Sequence, residues 1–142
     1  MSILITGGMG FLGVNLAKQL LESKRRVVLF DIQPSSTAID EIRQEVKIVR
    51  GDLAHWQDLA ETSKNFQVES IFHLGAILSA AAEKDPMRAF EVNVVGTVNV
   101  LDTARLFGVE KVIFPSSVAS YGPGVPEPVN EESRQEPRTV YG

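Results

Sequence analysis

Short apolar runs alternate along the chain with segments whose apolar positions repeat at helical spacing. The runs predict five strands, at residues 3–5, 27–30, 46–49, 70–74 and 111–114. Between them the pattern predicts a helix with Leu12, Leu16 and Leu20 on one face, and further helices at 39–44, 56–66 and 86–107. Because strands that alternate with helices are joined by right-handed crossovers, we expect a doubly wound parallel α/β sheet that stops after the fifth strand.

Three segments lack a regular apolar pattern. Residues 34–37 are typical of a turn, and residues 75–83 are mostly small and predict a loop. Residues 122–142 contain four prolines and no apolar period, which predicts a loop ordered only by what it packs on. We therefore expect one domain over residues 1–121, followed by a proline-rich loop over residues 122–142.

The most distinctive motif is a glycine run between the first strand and the first helix. Gly7, Gly8, Gly10 and Gly13 satisfy both G-x-G-x-x-G and G-x-x-G-x-x-G. In this context glycines let the backbone approach a pyrophosphate at the N-terminus of a helix, as in a Rossmann-type dinucleotide-binding fold. The alternative is a tight turn with no ligand.

Acidic residues follow the second and third strands. Asp31 lies where a carboxylate can accept hydrogen bonds from both ribose hydroxyls of a dinucleotide, and it would repel a 2′-phosphate. No Arg directly follows it, so NAD is favoured over NADP; the alternative is that Asp31 only begins a turn. Asp52 is placed to accept from the adenine amino group or, equally, to cap the next helix. His73 is interpreted as a packed or capping residue rather than a metal ligand or base.

Composition narrows the functional classes. The chain has 142 residues, 44% hydrophobic and 23% charged, which is typical of a folded globular domain. A net charge of −4 argues against a nucleic-acid partner, and the absence of Cys excludes disulfides and thiolate chemistry. No metal site is expected. The longest uncharged apolar run, 92–101, is too short to span a membrane, and no targeting segment is visible, so we expect a cytoplasmic protein.

Several motifs together resemble the extended short-chain dehydrogenases/reductases, the NAD-dependent epimerase/dehydratase family. They are the segments 6–13 (TGGMGFLG), 51–53 (GDL), 73–76 (HLGA), 93–97 (NVVGT) and 116–122 (SSVASYG). The resemblance implies NAD as cofactor and a small-molecule substrate. It implies cofactor contacts from Gly7, Gly10, Phe11, Leu12, Gly13, Asp31, Asp52, Leu53, Leu74, Gly75, Ala76 and Asn93. For Asn93, a buried amide bonded to backbone is an equally good interpretation.

The same resemblance implies a catalytic pair. Ser117 matches the hydroxyl that hydrogen-bonds the substrate oxygen, and Tyr141 matches the Tyr of Y-x-x-x-K, the general acid/base. A phenol is a poor base at neutral pH unless a neighbouring cation favours the phenolate, and in the family that cation is the Lys of the motif. This Lys would lie beyond Gly142. We therefore expect an N-terminal fragment that lacks the C-terminal substrate-binding part and has no turnover on its own.

The substrate stays open between two classes. Residues 78–86, 115–119 and 137–142 are similar to the short-chain type of L-threonine 3-dehydrogenase, which implies that Ser79 contacts an amino-acid substrate. Tyr121 and Gly75 are closer to general epimerase patterns, which favour a nucleotide sugar. A non-catalytic NAD-binding sensor of the same fold is a third possibility.

The long helix also bears on assembly. It carries no charged residue between Val92 and Leu101, and a helix that is apolar on most sides is expected to be covered by its own sheet and by a partner. We therefore expect a homo-oligomer, specifically a dimer formed through the 86–107 helix.

Overall fold

A single parallel sheet organises the chain. The computed structural model describes residues 1–33 and 37–142; Pro34, Ser35 and Ser36 of the predicted turn lie outside the described residues. The strands are β1 (Ser2–Thr6), β2 (Val27–Asp31), β3 (Lys47–Arg50), β4 (Val68–His73) and β5 (Lys111–Ile113). Their order is β3-β2-β1-β4-β5 and all neighbours are parallel, which confirms the predicted Rossmann-type fold.

Helices connect the strands and cover both faces of the sheet. They are α1 (Phe11–Glu22), α2 (Trp56–Phe66), α3 (Ser79–Lys84), α4 (Pro86–Phe90) and α5 (Gly96–Phe107). A π-helical turn, Glu91–Val95, links α4 to α5, and 3₁₀ turns occur at Thr37–Ile39 and Val118–Ser120. Asp85 caps α4, with Pro86 in its first turn, and Gly108 ends α5 in the left-handed conformation at φ +66°. Within the described residues, no helix is long and apolar enough to cross a membrane.

Alternating strand residues build two cores. Leu4, Val28 and Phe30 belong to one core, which also takes in apolar residues of α2 and α5. Ile5 and Leu29 belong to the other core, on the α1 face. Because successive strand side chains point to opposite faces, a strand buried on both sides carries a continuous apolar run, as β1 does at residues 3–5 and β2 at residues 27–30.

Three of the predicted elements are wrong in detail. Residues 39–44 form no α-helix; they follow the 3₁₀ turn Thr37–Ile39 as successive turns. The predicted loop at 75–83 instead contains α3, whose SAAAEK sequence is rich in Ala, the best helix former. The predicted helix at 86–107 is interrupted by the π-helical turn.

The segment over residues 122–142 forms no helix or strand and folds back on the domain. The Glu136 N–H donates to the Tyr121 carbonyl oxygen at 3.1 Å. Further along, the Val140 N–H donates to Glu83 Oε1 of α3 at 2.7 Å. These two contacts bring the C-terminal residues beside α3 and the turn that follows β5.

Candidate functional site

A cavity of about 450 Å³ opens at the carboxyl ends of β1 and β4. This is where the strand order reverses, because the chain proceeds from β1 outward to β3 and then returns to β4 on the other side of β1. Ligands of open α/β sheets bind at such a switch point. Every residue predicted to contact a cofactor, except Asn93, lines this cavity: Gly7, Gly10, Phe11, Leu12, Gly13, Asp31, Asp52, Leu53, Leu74, Gly75 and Ala76.

The glycine turn brings two backbone segments into direct contact. Gly7 has φ +65°, a conformation that L side chains rarely adopt, and a Cβ added there would lie 2.7 Å from Gly75 Cα. A Cβ on Gly13 would lie 2.6 Å from the Gly7 carbonyl oxygen. Only glycine fits at these positions, so the floor of the cavity is bare backbone, as close approach of a pyrophosphate requires.

The N-terminus of α1 faces the same space. Gly10 is its N-cap and supplies no side-chain hydrogen bond, and the first turn contains no acidic residue. The first amides of a helix have no intrahelical acceptor and carry the positive end of the helix dipole. Phe11, Leu12 and Gly13 of this first turn line the cavity. The site therefore fits an anionic group such as a diphosphate.

Asp31 stabilises the glycine turn and also faces the cavity. Its Oδ2 accepts from the Met9 N–H at 3.1 Å, and its Oδ1 accepts from the Gln33 N–H at 3.1 Å. Asp31 begins a turn, and it also lines the cavity. Each carboxylate oxygen retains acceptor capacity for a hydroxyl group. Arg50 lies opposite Asp31 in the register of β2 and β3, yet it is not among the residues that line the cavity.

Asp52 forms an ion pair that the sequence did not indicate. Its Oδ1 accepts from the Ala54 N–H at 2.9 Å, while its Oδ2 accepts from the Arg88 guanidinium. Burial raises the pKa of the Asp52 carboxyl, but the Ala54 N–H and Arg88 together lower it by more, so the net pKa lies below its ordinary value. Asp52 does not cap α2, whose N-cap is His55.

Asn93 holds the loop that follows β4 rather than lining the cavity. Its Oδ1 accepts from the Ile77 N–H at 2.8 Å, and its Nδ2 donates to the Ile77 carbonyl oxygen at 2.9 Å. Since Ile77 lines the cavity, the Asn93 amide fixes one cavity wall through the backbone. The π-helical turn is the element that carries Asn93.

His73 is a buried packing residue, in a hydrogen-bonded chain that joins the same elements. Its Nδ1 lies 2.7 Å from Thr6 Oγ1, and its Nε2 lies 3.0 Å from Thr97 Oγ1. The Thr97 hydroxyl donates to the Asn93 carbonyl oxygen at 2.6 Å, so it accepts from a protonated Nε2 and leaves Nδ1 as the acceptor. Burial lowers the pKa of His73 to about 4, which keeps the ring neutral.

Ser117 and Tyr141, predicted to be catalytic, lie in segments that touch each other. Ser117 caps the 3₁₀ turn Val118–Ser120, with its Oγ accepting from the Ala119 N–H at 3.2 Å. A Cβ added to Gly142, next to Tyr141, would lie 2.5 Å from the Ala119 carbonyl oxygen. Neither side chain lines the cavity.

Ser79, predicted to contact substrate, is the first residue of α3 and is exposed. It does not line the cavity either. However, α3 also carries Glu83, which binds the Val140 amide beside Tyr141. The three predicted residues of the reaction are thus on elements that contact one another outside the cofactor cavity.

Sequence reasoning missed several residues of the cavity wall. They are Phe30, Ile32, Gly51, Ile77, Leu78, Arg88 and Val92. Phe30 and Gly51 immediately precede Asp31 and Asp52, so position at a strand end could have found them. No local signal marks Arg88, which reaches Asp52 from a distant helix. Across residues 1–33 and 37–142, no group of three or more His, Asp or Glu side chains is arranged to hold a metal ion.

Comparison with known proteins agrees with this geometry. The NAD dependent epimerase/dehydratase family matches residues 3–142. L-threonine 3-dehydrogenase of Sus scrofa is 36% identical over 99% of this chain and 37% of its own length. UDP-glucose 4-epimerase of Lacticaseibacillus casei is 30% identical over 100% of this chain and 43% of its own length.

A solved structure extends the match to three dimensions. UDP-glucose 4-epimerase of Thermus thermophilus in complex with NAD superimposes with a TM-score of 0.88 at 31% identity, over 99% of this chain and 46% of the other. The chain therefore spans less than half the length of these relatives. With the family match over nearly all of its residues, and with the glycine turn, the α1 N-terminus and Asp31 on one cavity, this chain belongs to the NAD-dependent epimerase/dehydratase family, whose cofactor is NAD.

Proposed function

We propose that this chain supplies the NAD-binding part of an oxidoreductase that transfers hydride at a carbinol of a small substrate, in the manner of L-threonine 3-dehydrogenase. The observation that carries the proposal is the cavity at the switch point. There, bare glycine backbone, a helix N-terminus and the Asp31 carboxylate face one space. NAD, when bound, supplies the hydride acceptor for the alcohol.

Each residue group has a distinct task in holding the dinucleotide. The amides at the start of α1 bind the diphosphate, and Gly7 and Gly13 let it approach. Asp31 accepts from the ribose hydroxyls, and Asp52 accepts from the adenine amino group. The apolar walls formed by the loops after β3 and β4 exclude water from the base and the ribose.

Ser117 and Tyr141 carry the proton chemistry. The Ser117 hydroxyl hydrogen-bonds the substrate oxygen, and the Tyr141 hydroxyl takes the carbinol proton as hydride leaves. Support comes from the contact of Gly142 with Ala119, which brings the two segments together. A phenol needs a neighbouring cation to favour the phenolate at neutral pH, and in Y-x-x-x-K the Lys supplies that cation.

The substrate is proposed to be an amino acid, with Ser79 as a contact. Ser79 begins α3, and Glu83 of the same helix holds the Val140 amide, so α3 lies beside the segment of Tyr141. A nucleotide sugar is the second candidate, supported by the match to UDP-glucose 4-epimerases. These substrates differ in reaction type, because threonine oxidation releases NADH whereas epimerisation returns the hydride.

The assay follows absorbance at 340 nm for the whole protein with NAD and either L-threonine or UDP-glucose. We expect net NADH with L-threonine; UDP-galactose formed from UDP-glucose without net NADH would instead establish the epimerase. Tyr141→Phe should lower turnover at least about 100-fold while leaving NAD affinity unchanged. Tyr121→Phe is the matched control and should retain turnover. NAD binding without turnover of either substrate would favour a sensor.

We also propose that two copies associate through α4, the π-helical turn and α5. An exposed apolar stripe at helical spacing runs along this segment and consists of Met87 (69% exposed), Phe90 (52%), Val94 (47%), Val98 (58%) and Leu101 (53%). Such a stripe is typical of a helix that packs against a partner helix. Sedimentation should show a dimer, and Val98→Glu should convert it to monomer.

A further inference from the structure

Arg88 connects two elements that form one end of the cavity. It lies on α4, and its Nη2 donates to Oδ2 of Asp52 in the loop after β3. Its Nη1 donates to Glu91 Oε2 at 3.2 Å, and its backbone N–H donates to Asp85 Oδ1 at 3.0 Å. The side chains of Arg88 and Asp52 are only 29% and 16% exposed. The ion pair is therefore partly shielded from water, where a charge-assisted hydrogen bond is stronger than at an open surface.

The Asp52 carboxylate is held in one orientation. Oδ1 accepts from the Ala54 N–H at 2.9 Å and Oδ2 accepts from Arg88. The backbone N–H of Asp52 donates to Asp58 Oδ2 at 2.9 Å, which anchors the residue from the other side. Each carboxylate oxygen has two lone pairs, so one remains on each for a donor in the cavity that Asp52 lines.

Charge determines what this end of the cavity can bind. The pKa of the Asp52 carboxyl lies below its ordinary value, as described above, so the carboxyl is ionised at neutral pH. An ionised carboxylate accepts hydrogen bonds and donates none. It attracts an exocyclic amino group and repels a carbonyl oxygen at the same place on a purine base.

We propose that Arg88 is a positioning residue that orients Asp52 toward the exocyclic amino group of the cofactor's adenine, and that this ion pair determines base selectivity. The proposal rests on the proposed NAD-binding function and adds the group that controls recognition of the base. Arg88 acts through Asp52. Without the guanidinium, the carboxylate loses its orientation and gains access to alternative rotamers.

The experiment compares the affinities of NAD⁺ and nicotinamide hypoxanthine dinucleotide by calorimetric titration of the purified protein. Hypoxanthine has a carbonyl oxygen where adenine has its amino group. We expect the protein to bind NAD⁺ about tenfold more tightly than the analogue. Arg88→Met should weaken the binding of NAD⁺ about tenfold and the binding of the analogue much less. The ratio of the two affinities should therefore fall close to one.

The matched control is Arg105→Met. Arg105 lies on α5, pairs with Asp102 at 2.8 Å and does not line the cavity, so the variant removes the same charge and one ion pair elsewhere. Its two affinities should stay unchanged. Thermal unfolding reports whether each variant is folded. If Arg88→Met does not fold, Arg88→Gln replaces it, and we expect the same fall in the affinity ratio.

The affinity ratio separates this proposal from the one on which it rests. A ratio that stays at the wild-type value in the Arg88 variants, with both affinities lowered equally, would assign Arg88 a purely structural role and overturn the inference. Failure of the wild-type protein to bind either dinucleotide would instead overturn the proposed function. Equal wild-type affinities for both dinucleotides would overturn the inference together with the Asp52–adenine contact, while NAD binding itself would stand.

Discussion

The contact between Gly7 and Gly75 can be tested with a pair of Gly→Ala substitutions. Gly7 has φ +65° and Gly108 has φ +66°, so Ala meets the same backbone strain at both positions. Their surroundings differ. A Cβ on Gly7 would lie 2.7 Å from the Gly75 backbone, whereas a Cβ on Gly108 would meet nothing within 4 Å.

The two substitutions therefore separate strain from collision. Ala at positive φ costs about 1 kcal/mol in stability. A collision between backbones that cannot move aside adds about 1–3 kcal/mol, typical of overpacking. We expect Gly108→Ala to lower the free energy of unfolding by about 1 kcal/mol and Gly7→Ala to lower it by about 2–4 kcal/mol. Gly7→Ala should also abolish NAD binding, because relief of the collision displaces the glycine turn.

Urea unfolding followed by circular dichroism gives both free energies, with equal m-values as the condition for comparing them. Calorimetry with NAD⁺ gives the affinities. Equal destabilisation by the two substitutions, within about 0.5 kcal/mol, would show that the backbone contact at the switch point does not exist. Retained NAD affinity in Gly7→Ala would refute the role of the glycine turn.

Three further predictions concern one residue that lines the cavity and two residues behind it. Asp31→Asn should weaken NAD⁺ binding about tenfold or more and raise the affinity for NADP⁺ relative to that for NAD⁺, as measured by titration. An unchanged ratio of the two affinities would contradict the ribose contact. His73 has a folded-state pKa of about 4, below its unfolded value, so the unfolded chain binds the proton first and stability is lost as pH falls from about 6.5 to 4. Urea unfolding at several pH values should show this loss of stability in the wild type and not in His73→Gln. If the free energies of unfolding of the two proteins change with pH in parallel, His73 is not the cause of the loss. Asn93→Ala should lower the free energy of unfolding by about 1–3 kcal/mol and speed hydrogen exchange at the Ile77 amide. Unchanged exchange at that amide would disprove the anchoring role of Asn93.

The sheet and the glycine turn were predictable because their signals are local. Gly7 directly follows a β-branched strand, Gly13 lies in the first turn of the next helix, and Asp31 directly ends the second strand. In a parallel sheet the carboxyl ends of adjacent strands meet at one edge, so strand order alone brings these residues together.

The Arg88–Asp52 ion pair at the other end of the cavity was not predictable, because it depends on a contact between distant segments. Arg88 reaches Asp52 from another element, and neither residue type nor spacing marks such a pair. The amphipathic pattern of α1 was also ambiguous. Leu12 shares its predicted face with Leu16 and Leu20, yet it is 62% exposed and lines the cavity, since an apolar position pattern is the same for a core and for a ligand wall.

The most direct test of the account is a titration of ¹⁵N-labelled protein with NAD⁺, followed by amide chemical shifts. We expect the largest changes at Gly7, Gly10 and Gly13, with none at Gly108 and Gly124, which lie outside the cavity lining. If the amide shifts of the three glycines saturate at the same NAD⁺ concentration, the titration also gives the affinity for NAD⁺. Binding that leaves the three glycine amides unmoved, or no binding at all, would contradict the account.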